Sequence, residues 1–120
     1  MIRIMYVDDE PDIREIADIA LGLDPELEVR LCASGDEAVA AARVWKPALI
    51  LLDFMMPVMD GPATLRALRA QPETGDTPIV FITARTAERD VEQLLALGAA
   101  GVLAKPFDPM ALAAEARQFL

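Results

Sequence analysis

The sequence contains no histidine and a single cysteine, Cys32. One cysteine excludes an internal disulfide, and without histidine the usual soft metal sites built from Cys and His cannot form. Ser-His-Asp and Cys-His nucleophilic mechanisms are excluded for the same reason. Positive charge is the minority sign, with 11 basic against 20 acidic side chains and a net charge of −9. A protein that grips a phosphate backbone shows the opposite balance, so no direct contact with nucleic acid is expected. Long apolar runs are missing too: the central one, from Ala48 to Leu52, meets a charge after five residues, and no transmembrane helix fits. The N-terminus runs from Met1 through Val7 straight into acids, without the zones of a signal peptide. The expected location is cytoplasmic, away from membranes.

What is present describes one ordinary domain. The chain has 120 residues, 54% of them hydrophobic and 21 of them alanine, enough for a single core with closely packed helices. Residues 1–120 are expected to form one unit, without linker, repeat or low-complexity tract.

Short apolar runs alternate with segments of helical period, the pattern of a parallel sheet flanked by helices. The runs are Ile2 to Val7, Val29 to Ala33, Ala48 to Leu52, Ile79 to Ile82 and Val102 to Ala104. Most are continuous rather than alternating, as strands buried on both faces should be. Pro11 opens the first helix, with Ile13, Ile16, Ala20 and Leu23 as its inward stripe. Ser34 and Glu37 have the spacing of a capping box before a helix with Ala38, Ala42 and Trp45 inward. Asp60-Gly61-Pro62 opens a third, with Leu65 and Leu68 inward. Ala87, Val91, Leu94 and Leu95 mark a fourth, stopped by Gly98 and Gly101. Asp108-Pro109 caps a fifth, with Leu112, Ala116 and Phe119 inward. The fold class is therefore α/β, an open doubly wound parallel sheet of five strands.

In such sheets ligands bind beyond the carboxyl ends of the strands. There the first run ends in Asp8-Asp9-Glu10, the third in Asp53, the fourth in Thr83 and the fifth in Lys105. If Asp8, Asp9 and Asp53 meet within about 5 to 6 Å, each pair repels by roughly 3 kcal/mol at an effective dielectric near 20. Protons or a cation must relieve that repulsion, and an all-oxygen cluster selects a hard divalent ion, with Mg²⁺ the natural candidate. Carboxylates, a hard ion, a hydroxyl and an ammonium together suit phosphoryl transfer. Asp53 is then the nucleophile, Asp8 and Asp9 hold the ion, Lys105 pairs with the phosphoryl group and Thr83 hydrogen-bonds it.

Each residue also has a plainer reading. Glu10 and Asp12 merely complement the positive end of the first helix, Asp60 is a turn and cap, and Cys32 is an inert buried thiol. Lys105 stands out because the chain has only two lysines against nine arginines.

Val7-Asp8-Asp9-Glu10, Leu52-Asp53, Met56-Pro57-Val58-Met59-Asp60-Gly61, Thr83-Ala84 and Gly98-Ala99-Ala100-Gly101 leading to Lys105-Pro106-Phe107 together resemble the receiver domain of bacterial two-component response regulators, including the single-domain chemotaxis type. The resemblance spans essentially the whole chain. It implies a flavodoxin-like (βα)5 sheet ordered 2-1-3-4-5, the order given for a receiver among standard doubly wound folds. It further implies that Asp53 accepts phosphate from a histidine kinase or a histidine phosphotransfer protein. Mg²⁺ would be held by Asp9, Asp53 and the backbone carbonyl of Met55, with Asp8 helping through water, and the Lys105-Pro106 peptide would be cis. Output to a downstream protein target or output domain would pass through the fourth helix, fifth strand and fifth helix. Met55 and Arg85 would influence the lifetime of the phosphoryl group. A homodimer through the output face has no specific residue behind it. Many receivers carry an aromatic three residues before the Lys, where this chain has Val102, so coupling runs through the loop after the fourth strand or is weaker.

Two other readings remain at this stage. A haloacid dehalogenase-type Mg²⁺ phosphatase also uses an aspartyl phosphate, but with two Asp separated by one residue and a cap domain for which there is no room here. An unphosphorylated, degenerate receiver would act as an acidic docking module, against which the intact set Asp8, Asp9, Asp53, Thr83 and Lys105 argues.

Overall fold

Leu49 to Asp53 and Ile79 to Thr83 contain no polar residue before their last position, and in the computed structural model, which describes residues 1–120, both are buried along their whole length. They form the middle of a five-stranded parallel sheet. Its strands are β1 (Ile2–Val7), β2 (Leu27–Cys32), β3 (Leu49–Asp53), β4 (Ile79–Thr83) and β5 (Gly101–Ala104), in the order β2-β1-β3-β4-β5. Every neighbouring pair is parallel. The edge strands β2 and β5 are partly exposed where β3 and β4 are buried throughout.

Five helices cover the two faces: α1 (Pro11–Gly22), α2 (Gly35–Trp45), α3 (Gly61–Ala70), α4 (Glu88–Ala96) and α5 (Leu112–Arg117). Strand side chains point alternately to opposite faces, so the core divides in two. Met5, Val7, Ile50, Leu52 and Phe81 pack with α2, α3 and Leu94 of α4. Ile4, Tyr6, Leu49, Leu51, Val80 and Ile82 pack with α1 and α5. The chain leaves β1 for β2 on one side and returns to β3 on the other, and the gap between β1 and β3 is where such sheets bind ligands.

Several helix signals act as the sequence indicates. Ser34 Oγ accepts the Glu37 N–H at 3.1 Å while Glu37 reaches back to the Ala33 N–H at 2.8 Å. Asp60 caps α3 through the Ala63 N–H at 2.9 Å. Gly98 takes φ +106 after α4, a conformation that suits glycine at a helix end.

Other details differ. Leu23 is the C-cap of α1 and 55% exposed, and Ile16 is 42% exposed. The helix docks through Ala17, Ala20 and Leu21 instead, because small alanines let its axis approach the sheet. Leu95 also faces solvent, leaving Leu94 as the buried residue of α4, and Ala87 is that helix's N-cap. Asp108 folds an Asx turn onto the Met110 N–H at 2.9 Å, which delays α5 until Leu112. Gly101 opens β5 rather than ending α4, and the Phe119 ring occupies the space a side chain there would need. β2 begins at Leu27, while β3 and β4 each run one residue further than the apolar runs, so Asp53 and Thr83 are the last strand residues. That extension buries both polar side chains.

Candidate functional site

The carboxyl ends of β1, β3, β4 and β5 bring Asp8, Asp53, Thr83 and Lys105 together. Asp8 is fully buried and Asp53 is 3% exposed. Carboxylate oxygens of Asp8, Asp9 and Asp53 lie within 4.8 Å of one another. The Lys105 ammonium stands 3.0 Å from Asp8 Oδ2, 3.3 Å from Asp53 Oδ2 and 3.8 Å from Glu10 Oε1. It is carried to the site by the turn after β5, where its N–H donates to the Thr83 carbonyl at 2.9 Å and the Lys105-Pro106 peptide is cis.

The two buried carboxylates are served very differently. Asp8 Oδ1 accepts the Glu10 N–H at 2.9 Å, and Oδ2 accepts both Lys105 Nζ and the Tyr6 hydroxyl, the latter at 3.3 Å. Its backbone carbonyl takes Arg14 at 2.8 Å. Asp53 Oδ2 has no aligned hydrogen-bond donor, although the Lys105 ammonium stands 3.3 Å away and donates to Asp8. Burial first, and then the field of Asp8, raise the Asp53 pKa from 3.8 to about 6 against the opposing pull of Lys105. Burial disfavours the charge on Lys105, but the hydrogen bond to Asp8 and the fields of Asp53 and Asp8 outweigh it and hold its pKa above the ordinary value. Burial and the adjacent acids push the Tyr6 hydroxyl upward, so it stays a donor.

This donor set fits a hard cation. Three carboxylates converge, and one buried carboxylate oxygen lacks an aligned hydrogen-bond donor, a costly state that a hard cation at that oxygen would relieve. Met55 lies in the loop after β3 with its side chain 76% exposed, and its backbone N–H sits beside the Asp53 carboxylate.

A cavity of about 260 Å³ opens over Asp53, bounded by Glu10, Met55, Thr83, Arg85 and Lys105. The larger cleft, about 580 Å³, adjoins it between the loops after β3 and β4, sharing Met55, Thr83 and Arg85. Its lining includes neither Asp53 nor Lys105, so the carboxylates rather than the larger space mark the chemistry. Thr83 Oγ1 accepts the Arg85 N–H at 3.1 Å, which orients the hydroxyl at this rim.

Residues 4–117 match the family model for the response regulator receiver domain. The chain belongs to this family. It is 38% identical over 119 residues to response regulator Rre1 of Synechocystis, covering 99% of the chain and 52% of that protein. It is likewise 38% identical over 115 residues to the DNA-binding response regulator MtrA of Mycolicibacterium smegmatis, covering 96% of the chain and 49% of that protein. The chain thus spans about half the length of the curated relatives it matches. Among solved structures, chemotaxis response regulator CheY4 of Vibrio cholerae superposes with a TM-score of 0.91 at 35% identity, over 100% of this chain and 99% of that one. The signal receiver domain of a histidine kinase from Syntrophus aciditrophicus does so with a TM-score of 0.84 at 31% identity, over 100% and 90%. This receiver domain has the sheet order that the resemblance implies, and membership decides against the haloacid dehalogenase reading. No helix is long and apolar enough to cross a membrane.

Sequence reasoning missed two contributors. Tyr6 is the fully buried donor to Asp8, and Glu10, read only as a helix-end charge, supplies a backbone donor to Asp8 and a carboxylate to Lys105. The available signal for Tyr6 was strand periodicity, which puts residues two apart on one face.

Proposed function

We propose that residues 1–120 form one receiver domain whose Asp53 accepts a phosphoryl group from a phosphohistidine of a histidine kinase or histidine phosphotransfer protein in the cytoplasm. The observation that carries this reading is the unpartnered Oδ2 of a nearly buried carboxylate, faced by an ammonium and flanked by a strand-end hydroxyl. Asp53 attacks phosphorus, the new P–O bond forms as the P–N bond breaks, and the electron pair stays on the donor's imidazole nitrogen, which takes up a proton. These 120 residues contain no histidine, so the phosphohistidine lies outside this domain. A carboxylate with pKa near 6 is mostly ionised at neutral pH, yet more basic than an ordinary aspartate.

Lys105 pairs with the phosphoryl oxygens as a point charge, and Thr83 donates its hydroxyl to them. Asp8, Asp9, Asp53 and the Met55 carbonyl would hold Mg²⁺, which would supply neutralisation of the charge on those oxygens. The output is a change in binding to a downstream protein or output domain through residues 87–120. There α4 is the least anchored helix, with Leu94 its buried residue and no side-chain cap at its N-terminus.

The test is the intact mass of the chain incubated with Mg²⁺ and a small acyl phosphate. One added phosphoryl group is expected, absent without Mg²⁺ and absent in Asp53→Asn. Steady turnover of many phosphomonoesters, or no adduct at all, would refute the proposal.

A further inference from the structure

The Tyr6 hydroxyl is the polar group of the buried site that the proposed reaction leaves without a task. Its ring is fully buried in β1 and stands edge-on to Phe107, with centroids 6.2 Å apart. Packing alone explains a phenylalanine at this position; it does not explain an oxygen. That oxygen donates to Asp8 Oδ2 at 3.3 Å, the same atom that Lys105 Nζ holds at 3.0 Å. Tyr6 and Lys105 are the two side chains that donate to this oxygen, and no solvent reaches it.

The ammonium does not serve Asp8 equally in both states of the site. Before transfer it lies between Asp8 and Asp53, aligned on Asp8. A phosphoryl group on Asp53 brings about 1.5 to 2 negative charges within reach of the same flexible stem, and the ammonium turns toward them. Even with a cation on the Asp8 carboxylate, its buried Oδ2 then keeps the Tyr6 hydroxyl as its one hydrogen-bond donor, and losing that donor as well would disfavour the phosphorylated form.

We propose that Tyr6 is a positioning residue whose hydroxyl keeps Asp8 satisfied and oriented when Lys105 turns from Asp8 to the phosphoryl group on Asp53. The inference rests on reading Asp53 as the phosphoacceptor. Tyr6→Phe keeps the ring and its contact with Phe107 and removes only the donor, so it isolates this role.

The experiment compares the full chain with Tyr6→Phe in three measurements: thermal melting without metal, Mg²⁺ affinity by calorimetry without phosphodonor, and intact mass across a series of acetyl phosphate concentrations with Mg²⁺. Similar melting is expected, with Mg²⁺ affinity moving less than about threefold because Lys105 still holds Asp8 before transfer. The acetyl phosphate concentration that gives half phosphorylation should rise about tenfold, equivalent to about 1.4 kcal/mol. Half-phosphorylation within twofold of the parent would show that Tyr6 only packs, and would overturn the inference. A fall in Mg²⁺ affinity in step with phosphorylation, or loss of the folded state, would assign the hydroxyl to the resting site and overturn it equally. A parent chain that takes no phosphoryl group at all refutes the phosphoacceptor reading itself.

Discussion

Replacing Asp53 by asparagine should make the metal-free protein more stable at neutral pH. The side chain is 3% exposed and its Oδ2 lacks a donor, and its pKa moves from 3.8 to about 6 on folding. Each pH unit between those values is worth about 1.4 kcal/mol, so ionised Asp53 disfavours the folded chain by about 3 kcal/mol above pH 7. The folded chain keeps this proton to higher pH than the unfolded chain does. Between about pH 4 and 6 the unfolded state therefore binds fewer protons, and stability falls as pH rises. Asparagine fills the same volume without the charge. In thermal melts followed by circular dichroism, Asp53→Asn should exceed the parent by about 10 °C at pH 7.5, taking about 4 °C per kcal/mol for this size. The gap should shrink to about half near pH 5 and close near pH 4, where other carboxylates begin to titrate in both chains alike. Adding Mg²⁺ should raise the parent more than the variant. Equal melting at pH 7.5, or a gap independent of pH, would refute the claim that a buried, underserved carboxylate strains the resting site.

Two further perturbations probe the same architecture. Lys105→Met removes the ammonium that stands 3.0 and 3.3 Å from two carboxylates, and like charges a few ångströms apart repel by a few kcal/mol at an effective dielectric near 20. Calorimetry should show Mg²⁺ binding at least about fivefold tighter while phosphorylation slows; unchanged or weaker Mg²⁺ binding would count against the ammonium as the competing cation. Gly61→Ala would place a Cβ 2.8 Å from the Asp53 carbonyl and from Phe54 Cα, and 2.9 Å from Phe81 Cε1. With backbone on one side and a buried ring on the other, overpacking should cost about 1 to 3 kcal/mol in a denaturant titration, and a cost below about 0.5 kcal/mol would show that the loop after β3 yields freely.

The strands and the acidic end of the sheet were legible because parallel strands buried on both faces read as unbroken apolar runs, and whatever ends such a run is forced to the ligand edge. Asp8, Asp53, Thr83 and Lys105 were all found this way. The faces of α1 and α4 were less legible. Periodicity marks an apolar stripe, but the choice among Ile16, Ala17, Ala20, Leu21 and Leu23 depends on how closely the helix approaches the sheet, which the alanines decide. The start of α5 was hidden by Asp108, whose side chain caps a turn as readily as a helix. Tyr6 escaped because its role comes from sharing one oxygen with a residue near the other end of the chain.

That sharing has a consequence for when the protein first becomes competent. Asp8 and Lys105 are 97 positions apart in sequence, and the ammonium is delivered by the turn after the last strand of the sheet. A growing chain that has already folded β1 and β3 still lacks the charge that would steady a phosphoryl group. A site closed by its last strand would thus be incomplete in chains that are nascent, truncated or unravelled at the β5 edge.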